Sequence, residues 1–155
     1  MTFQIHALDP TEFIPLFELD DAALVGRGAR RVTATSSPGF PCRVSLEDAG
    51  IGETLLLVNH AHLTGETPYA ATHAVYIRQN APVAVPEAGK IPIVLTRRLL
   101  SVRGFDRDRM MIDAEIVDGA QLAPHLEALF ARDAIDFVHL HYARPGCFAA
   151  AVTRA

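Results

Sequence analysis

Residues 99–131 read LLSVRGFDRDRMMIDAEIVDGAQLAPHLEALFA, and three elements succeed one another within them. Leu99 to Phe105 and Met110 to Val117 are strand candidates, joined by the turn-like Asp106-Arg107-Asp108. Asp118-Gly119 breaks the second strand. The period then changes: Gln121 to Ala131 sets Leu122, Leu126, Leu129 and Phe130 on one helical stripe. Downstream, Ile135 to Tyr142 returns as a strand, Arg144-Pro145-Gly146 turns, and Cys147 to Thr153 forms a last strand. Strands in succession around one substantial helix predict an α+β fold.

Working toward the N-terminus, Glu53 to His62 is the clearest strand. Leu55 and Leu57 alternate with Leu56 and Val58, so both faces are expected to be buried. His73 to Gln79 reads as another strand, and Pro82, Pro86 and Pro92 make residues 81–92 a loop. Phe3 to Leu8 is a short first strand. Asp9-Pro10-Thr11 then has the chemistry of a helix start, followed by Phe13, Leu16 and Phe17 at helical spacing. Ala22 to Val25 suggests a second short helix stopped by Gly26 and Gly28, and Arg31 to Thr35 is rich in β-branched residues and reads as a strand. The expected architecture is one domain over residues 1–155 with a mixed, mostly antiparallel sheet and two or three helices. Only one connection holds a helix long enough for a parallel crossover.

The chain has 155 residues, a hydrophobic share of 50% and a charged share of 21%, values that support a folded core rather than disorder. Its net charge is −4, and Lys90 is its only lysine. Nucleic-acid binding rests on clustered Lys and Arg, so no nucleic-acid partner is expected. The longest apolar runs fall far short of a membrane span. MTFQIHALDP carries no secretory pattern, so Cys42 and Cys147 are expected to remain thiols in a cytoplasmic protein.

Gly39-Phe40-Pro41-Cys42-Arg43-Val44-Ser45-Leu46-Glu47-Asp48-Ala49, Thr67-Pro68-Tyr69, His73-Ala74-Val75-Tyr76 and Arg144-Pro145-Gly146-Cys147-Phe148-Ala149-Ala150 together resemble a bacterial family known only as a domain of unknown function. The resemblance implies no activity, substrate or cofactor, so the chemistry has to be sought in the residues.

His60-x-His62 and His139-x-His141 each place two imidazoles on one face of a strand, where side chains repeat with period two. Such a pair can share a metal ion, with a third ligand from the other pair, from His73 or from Cys147. The plainer alternative puts His60 and His62 at a solvated strand end and gives His139 and His141 structural hydrogen bonds. Cys147 with His139 or His141 is a candidate nucleophile and base; the alternative is a buried cysteine acting as a small hydrophobe. Arg43, Arg78 and Arg103, with His73, are candidate ligand-binding residues, because converging guanidinium forks suit a carboxylate or phosphate. Their alternative is pairing with acids such as Glu47, Asp48, Asp113 or Glu115. Nucleotide-binding glycine loops, the nucleophile elbow and Cys-x-x-Cys are absent from the sequence. Three functions follow as expectations: binding of a small, anionic molecule; a metal- or Cys/His-dependent enzyme with its cofactor undefined; or a structural or interaction protein without a small ligand, such as a homo-oligomer.

Overall fold

A computed structural model describes residues 2–155. It contains eight strands: β1 (Phe3–His6), β2 (Ala29–Thr33), β3 (Thr54–Leu63), β4 (Ala71–Arg78), β5 (Leu99–Phe105), β6 (Met111–Asp118), β7 (Phe137–Tyr142) and β8 (Phe148–Arg154). The helices are α1 (Asp21–Gly26), α2 (Ile93–Thr96) and α3 (Leu122–Phe130), with short 3-10 turns at Ile14–Glu18 and Gly119–Gln121. The fold is α+β, as expected. Its strands divide between two sheets, β1-β8-β7-β5-β6 and β2-β3-β4, and each paired strand runs antiparallel to its neighbours. α3 thus returns the chain to the five-stranded sheet without a parallel crossover.

The β5–β6 hairpin closes where Asp106 predicted a turn: its carboxylate accepts from the backbone N–H groups of Asp108 and Met110. Leu122, Leu126, Leu129 and Phe130 of α3 are all buried, against Phe3, Ile5, Val138, Leu140 and Val152. At roughly 1.5–3 kcal/mol per buried side chain, that stripe fixes α3 on one face of the larger sheet. Gly119, ahead of α3, is required by proximity, since a Cβ there would collide with the backbone carbonyl of Leu95.

The N-terminal helix differs from its expectation. Asp9 accepts from the Thr11 backbone N–H in a local turn, and Pro15 interrupts the donors, so only the 3-10 turn at Ile14–Glu18 forms. α1 is where it was expected, with Asp20 accepting from the Ala23 N–H at its start.

The smaller sheet has its own core. Leu56, Val58, Val75 and Ile77 pack with Phe13, Leu24, Cys42 and Val44, and Phe148 of β8 joins them from the other sheet. β7 is therefore covered on both sides. Val138, Leu140 and Tyr142 belong to the core beneath α3, and the alternate residues His139 and His141 face the opposite way, toward the small sheet.

Candidate functional site

His139 and His141 sit on β7 in the middle of the larger sheet, opposite Arg103 and Ser101 of β5. They are 5% and 1% exposed. On the other side His139 pairs with Ala151 of β8, whose methyl leaves room for an imidazole, and His141 pairs with Phe148.

The third imidazole comes from β3. Ala61 pairs with Thr72 and Leu63 with Ala71, so β3 carries one extra residue, His62, in a bulge. Bulges bend a strand and re-aim the extra side chain. His60 and His62 share one face of β3, both against Phe148, but they reach different partners. His60 turns to Glu12, with Nδ1 3.0 Å from Oε1, and stands edge-on to Phe13. His62 enters the space between the sheets, stacked on Phe148 and meeting His73, His139 and His141 ring to ring.

One ring nitrogen from each of His62, His139 and His141 lies within 4.8 Å of the other two. The Nδ1 atoms of His62 and His139 are 3.4 Å apart. Two imidazoles bound at 2.0–2.1 Å to one tetrahedral ion have their nitrogens about 3.3–3.4 Å apart. The hydrogen bonds around the cluster agree with that use. His141 Nδ1 is 3.0 Å from the Gly146 carbonyl, which only accepts, so this nitrogen holds the proton and Nε2 keeps a lone pair. His62 Nε2 is 2.7 Å from His73 Nδ1; with the proton on that Nε2, His62 Nδ1 is free to coordinate. These tautomers are assigned from the network. A backbone carbonyl behind a histidine ligand, as at His141, is a usual way of fixing its orientation.

All three rings are neutral at physiological pH. Burial pushes His62 down to about 3, helped by the charges of His139 and His73, and pushes His141 down to about 3. His139 falls to about 4, through burial and then the nearby Arg103 guanidinium. Burial and Arg103 also lower His73. Desolvation disfavours imidazolium and so preserves the lone pairs a metal needs.

The three arginines singled out from the sequence do not converge. Arg103 lies beside the histidines and donates from Nε to Ser101 Oγ at 3.1 Å. Arg78 is paired with Glu53 and Glu47, the internal neutralisation foreseen as its alternative. Arg43 is buried; it donates to the carbonyls of Phe148 and Pro41 at 2.8 and 2.6 Å and to Cys147 Sγ at 3.0 Å. Cys42 is also buried, with its sulfur accepting from the backbone N–H groups of Ser45 and Arg78.

Next to the histidines lies a cleft of about 820 Å³, and His73, Arg43 and Cys147 are on its wall. Sequence reasoning missed Arg98 and Tyr142 there. The guanidinium of Arg98 holds Asp48 through both terminal nitrogens, at 3.0 and 2.5 Å. The Arg43 and Arg98 guanidinium carbons stand 4.8 and 5.2 Å from the centre of the Tyr142 ring. The adjacent Arg97-Arg98 pair, beside a proline-rich loop, was the available signal.

Among the described residues no helix is long and apolar enough to cross a membrane. A family model described as "Protein of unknown function (DUF1203)" matches residues 39–154, a span that takes in both the Gly39–Ala49 and Arg144–Ala150 stretches. No curated protein and no solved structure matches the chain.

Proposed function

The chain belongs to the DUF1203 family of proteins of unknown function, and we propose that it works through a divalent transition-metal ion held by His62, His139 and His141. The convergence of three neutral imidazoles from two sheets, with ligand atoms within 4.8 Å of one another, carries this assignment. Imidazole suits zinc, copper, iron and nickel. Three protein ligands leave a fourth position for water or substrate, as in catalytic rather than closed structural zinc sites. Three neutral ligands also leave the ion its full double charge, which favours ionisation of a bound water. We therefore read the protein as a metal-dependent enzyme in which His62, His139 and His141 would hold the ion, which would supply Lewis acidity toward a water or a substrate oxygen. Arg103 weakens cation binding by its own charge. The same charge favours an anion, hydroxide or a substrate oxygen, at the open position.

Elemental analysis of untagged protein by inductively coupled plasma mass spectrometry tests the assignment. A near-stoichiometric transition metal, lost in a His139→Ala, His141→Ala variant, is expected. Protein that is metal-free as isolated, and takes up neither zinc nor cobalt on dialysis, overturns it.

A further inference from the structure

We infer that the cleft beside the histidines is a second binding site, for a small organic molecule bearing a phosphate or carboxylate head. Arg43, Arg97, Arg98 and Arg144 line it, and no Asp or Glu does. This concentration of positive charge stands on a chain whose net charge is −4. Of these four, among the described residues, only Arg98 has a carboxylate partner, Asp48. Neither Arg97 nor Arg144 has an ion-pair partner among the described residues.

Arg43 gives the strongest indication. Its side chain is 1% exposed, yet its three hydrogen bonds go to two carbonyls and a sulfur. Withdrawing a guanidinium from water carries a large desolvation cost, and neutral acceptors do not offset its charge as a carboxylate does. An anion in the cleft supplies that missing charge. Arg43 and Arg98 are also held against Tyr142, so they lose little freedom when a ligand arrives. The cleft volume, about 820 Å³, is that of a site for a small molecule. His73 lines the cleft and bonds His62, so a ligand anchored at the arginines reaches the edge of the histidine cluster. The cleft site does not depend on a metal being present.

Calorimetric titration of chelator-treated protein with inorganic phosphate, and separately with succinate, tests this at low ionic strength. Saturable binding of at least one anion is expected, and the better of the two identifies the head group. Binding should weaken about tenfold or more in an Arg97→Ala, Arg144→Ala variant; both residues are exposed, so the fold should tolerate their loss. Arg107→Ala, in the β5–β6 turn, should bind as the parent does. The inference fails if neither anion binds saturably, or if the double arginine variant binds like the parent. Because the titration uses metal-free protein, neither result depends on the metal assignment.

Discussion

The Nδ1 atoms of His62 and His139 stand 3.4 Å apart across the junction of two sheets, on residues 77 positions apart in the chain. Two neutral rings gain at most one weak hydrogen bond from that approach, whereas a shared cation draws on both lone pairs. The contact exists because a bulge in β3 delivers His62 to the face of β7 that α3 leaves uncovered.

Substitution of the histidines should separate ligands from neighbours. His62→Ala and His141→Ala are each expected to abolish stoichiometric zinc uptake, measured by competition with a chromophoric chelator. His60→Ala, whose ring is engaged with Glu12, should leave the affinity within about twofold. His73→Phe removes the acceptor behind His62 and should weaken binding roughly 10–100-fold without abolishing it. Equal losses from His60→Ala and His62→Ala would contradict the assigned ligand set.

The Asp48–Arg98 pair should matter to stability. Asp48 is 5% exposed and Arg98 20%, so Asp48→Asn strands a largely desolvated guanidinium. A loss on the order of 3 kcal/mol is expected in urea unfolding. A change below about 0.5 kcal/mol, the usual value for a surface substitution, would show the pair to be solvated.

Two glycines should respond in opposite directions. At Gly119 an added Cβ overlaps the Leu95 carbonyl, and backbone cannot yield as a side chain does; Gly119→Ala is expected to cost roughly 2–4 kcal/mol. A Cβ at Gly26 meets nothing within 4 Å, in a helix. Gly26→Ala should therefore stabilise by about 0.5–1 kcal/mol, chiefly by restricting the unfolded chain. Thermal denaturation of the two variants decides.

Tyr142 should ionise late, well above the ordinary range of a tyrosine. Burial pushes its hydroxyl up to about 12, against the pull of Arg43 and Arg98. Its folded-state value exceeds the unfolded one of 10.0, so its contribution to stability is complete below pH 10 and is lost as pH rises toward about 12. That loss amounts to roughly 2–3 kcal/mol. Absorbance titration at alkaline pH should show a late phenolate step that is missing in Tyr142→Phe. A Tyr142 step near pH 10 in the folded protein would show that the ring is not buried as described.

Much of the candidate site was legible as residue types but not as a place. His-x-His at 139 and 141 lies on a strand whose two faces are both covered, so period two correctly kept those rings together. The same rule kept the pair at 60 and 62 on one face, both against Phe148, but it did not reveal that His62, set in a bulge, reaches His139 and His141. Arg43, Arg78 and Arg103 all sit on or near strands, yet each ended in a different environment. What surrounds a strand residue is chosen by distant segments: Glu47 and Glu53 neutralise Arg78, whereas Arg43 found only carbonyls and a sulfur.

The amino-acid sequence by itself determined the local elements: the β5–β6 hairpin, the apolar stripe of α3 and the turn at Arg144-Pro145-Gly146. Periodicity, turn-forming side chains and proline act within a few residues, so a linear reading captures them. Only the tertiary structure decided that the strands form two sheets, that His62 joins His139 and His141, and that Arg43, Arg97, Arg98 and Arg144 share one cleft. Those outcomes depend on which apolar faces bury each other and on where a bulge re-aims a side chain. They are settled by contacts between segments far apart in the chain, and no local rule encodes them.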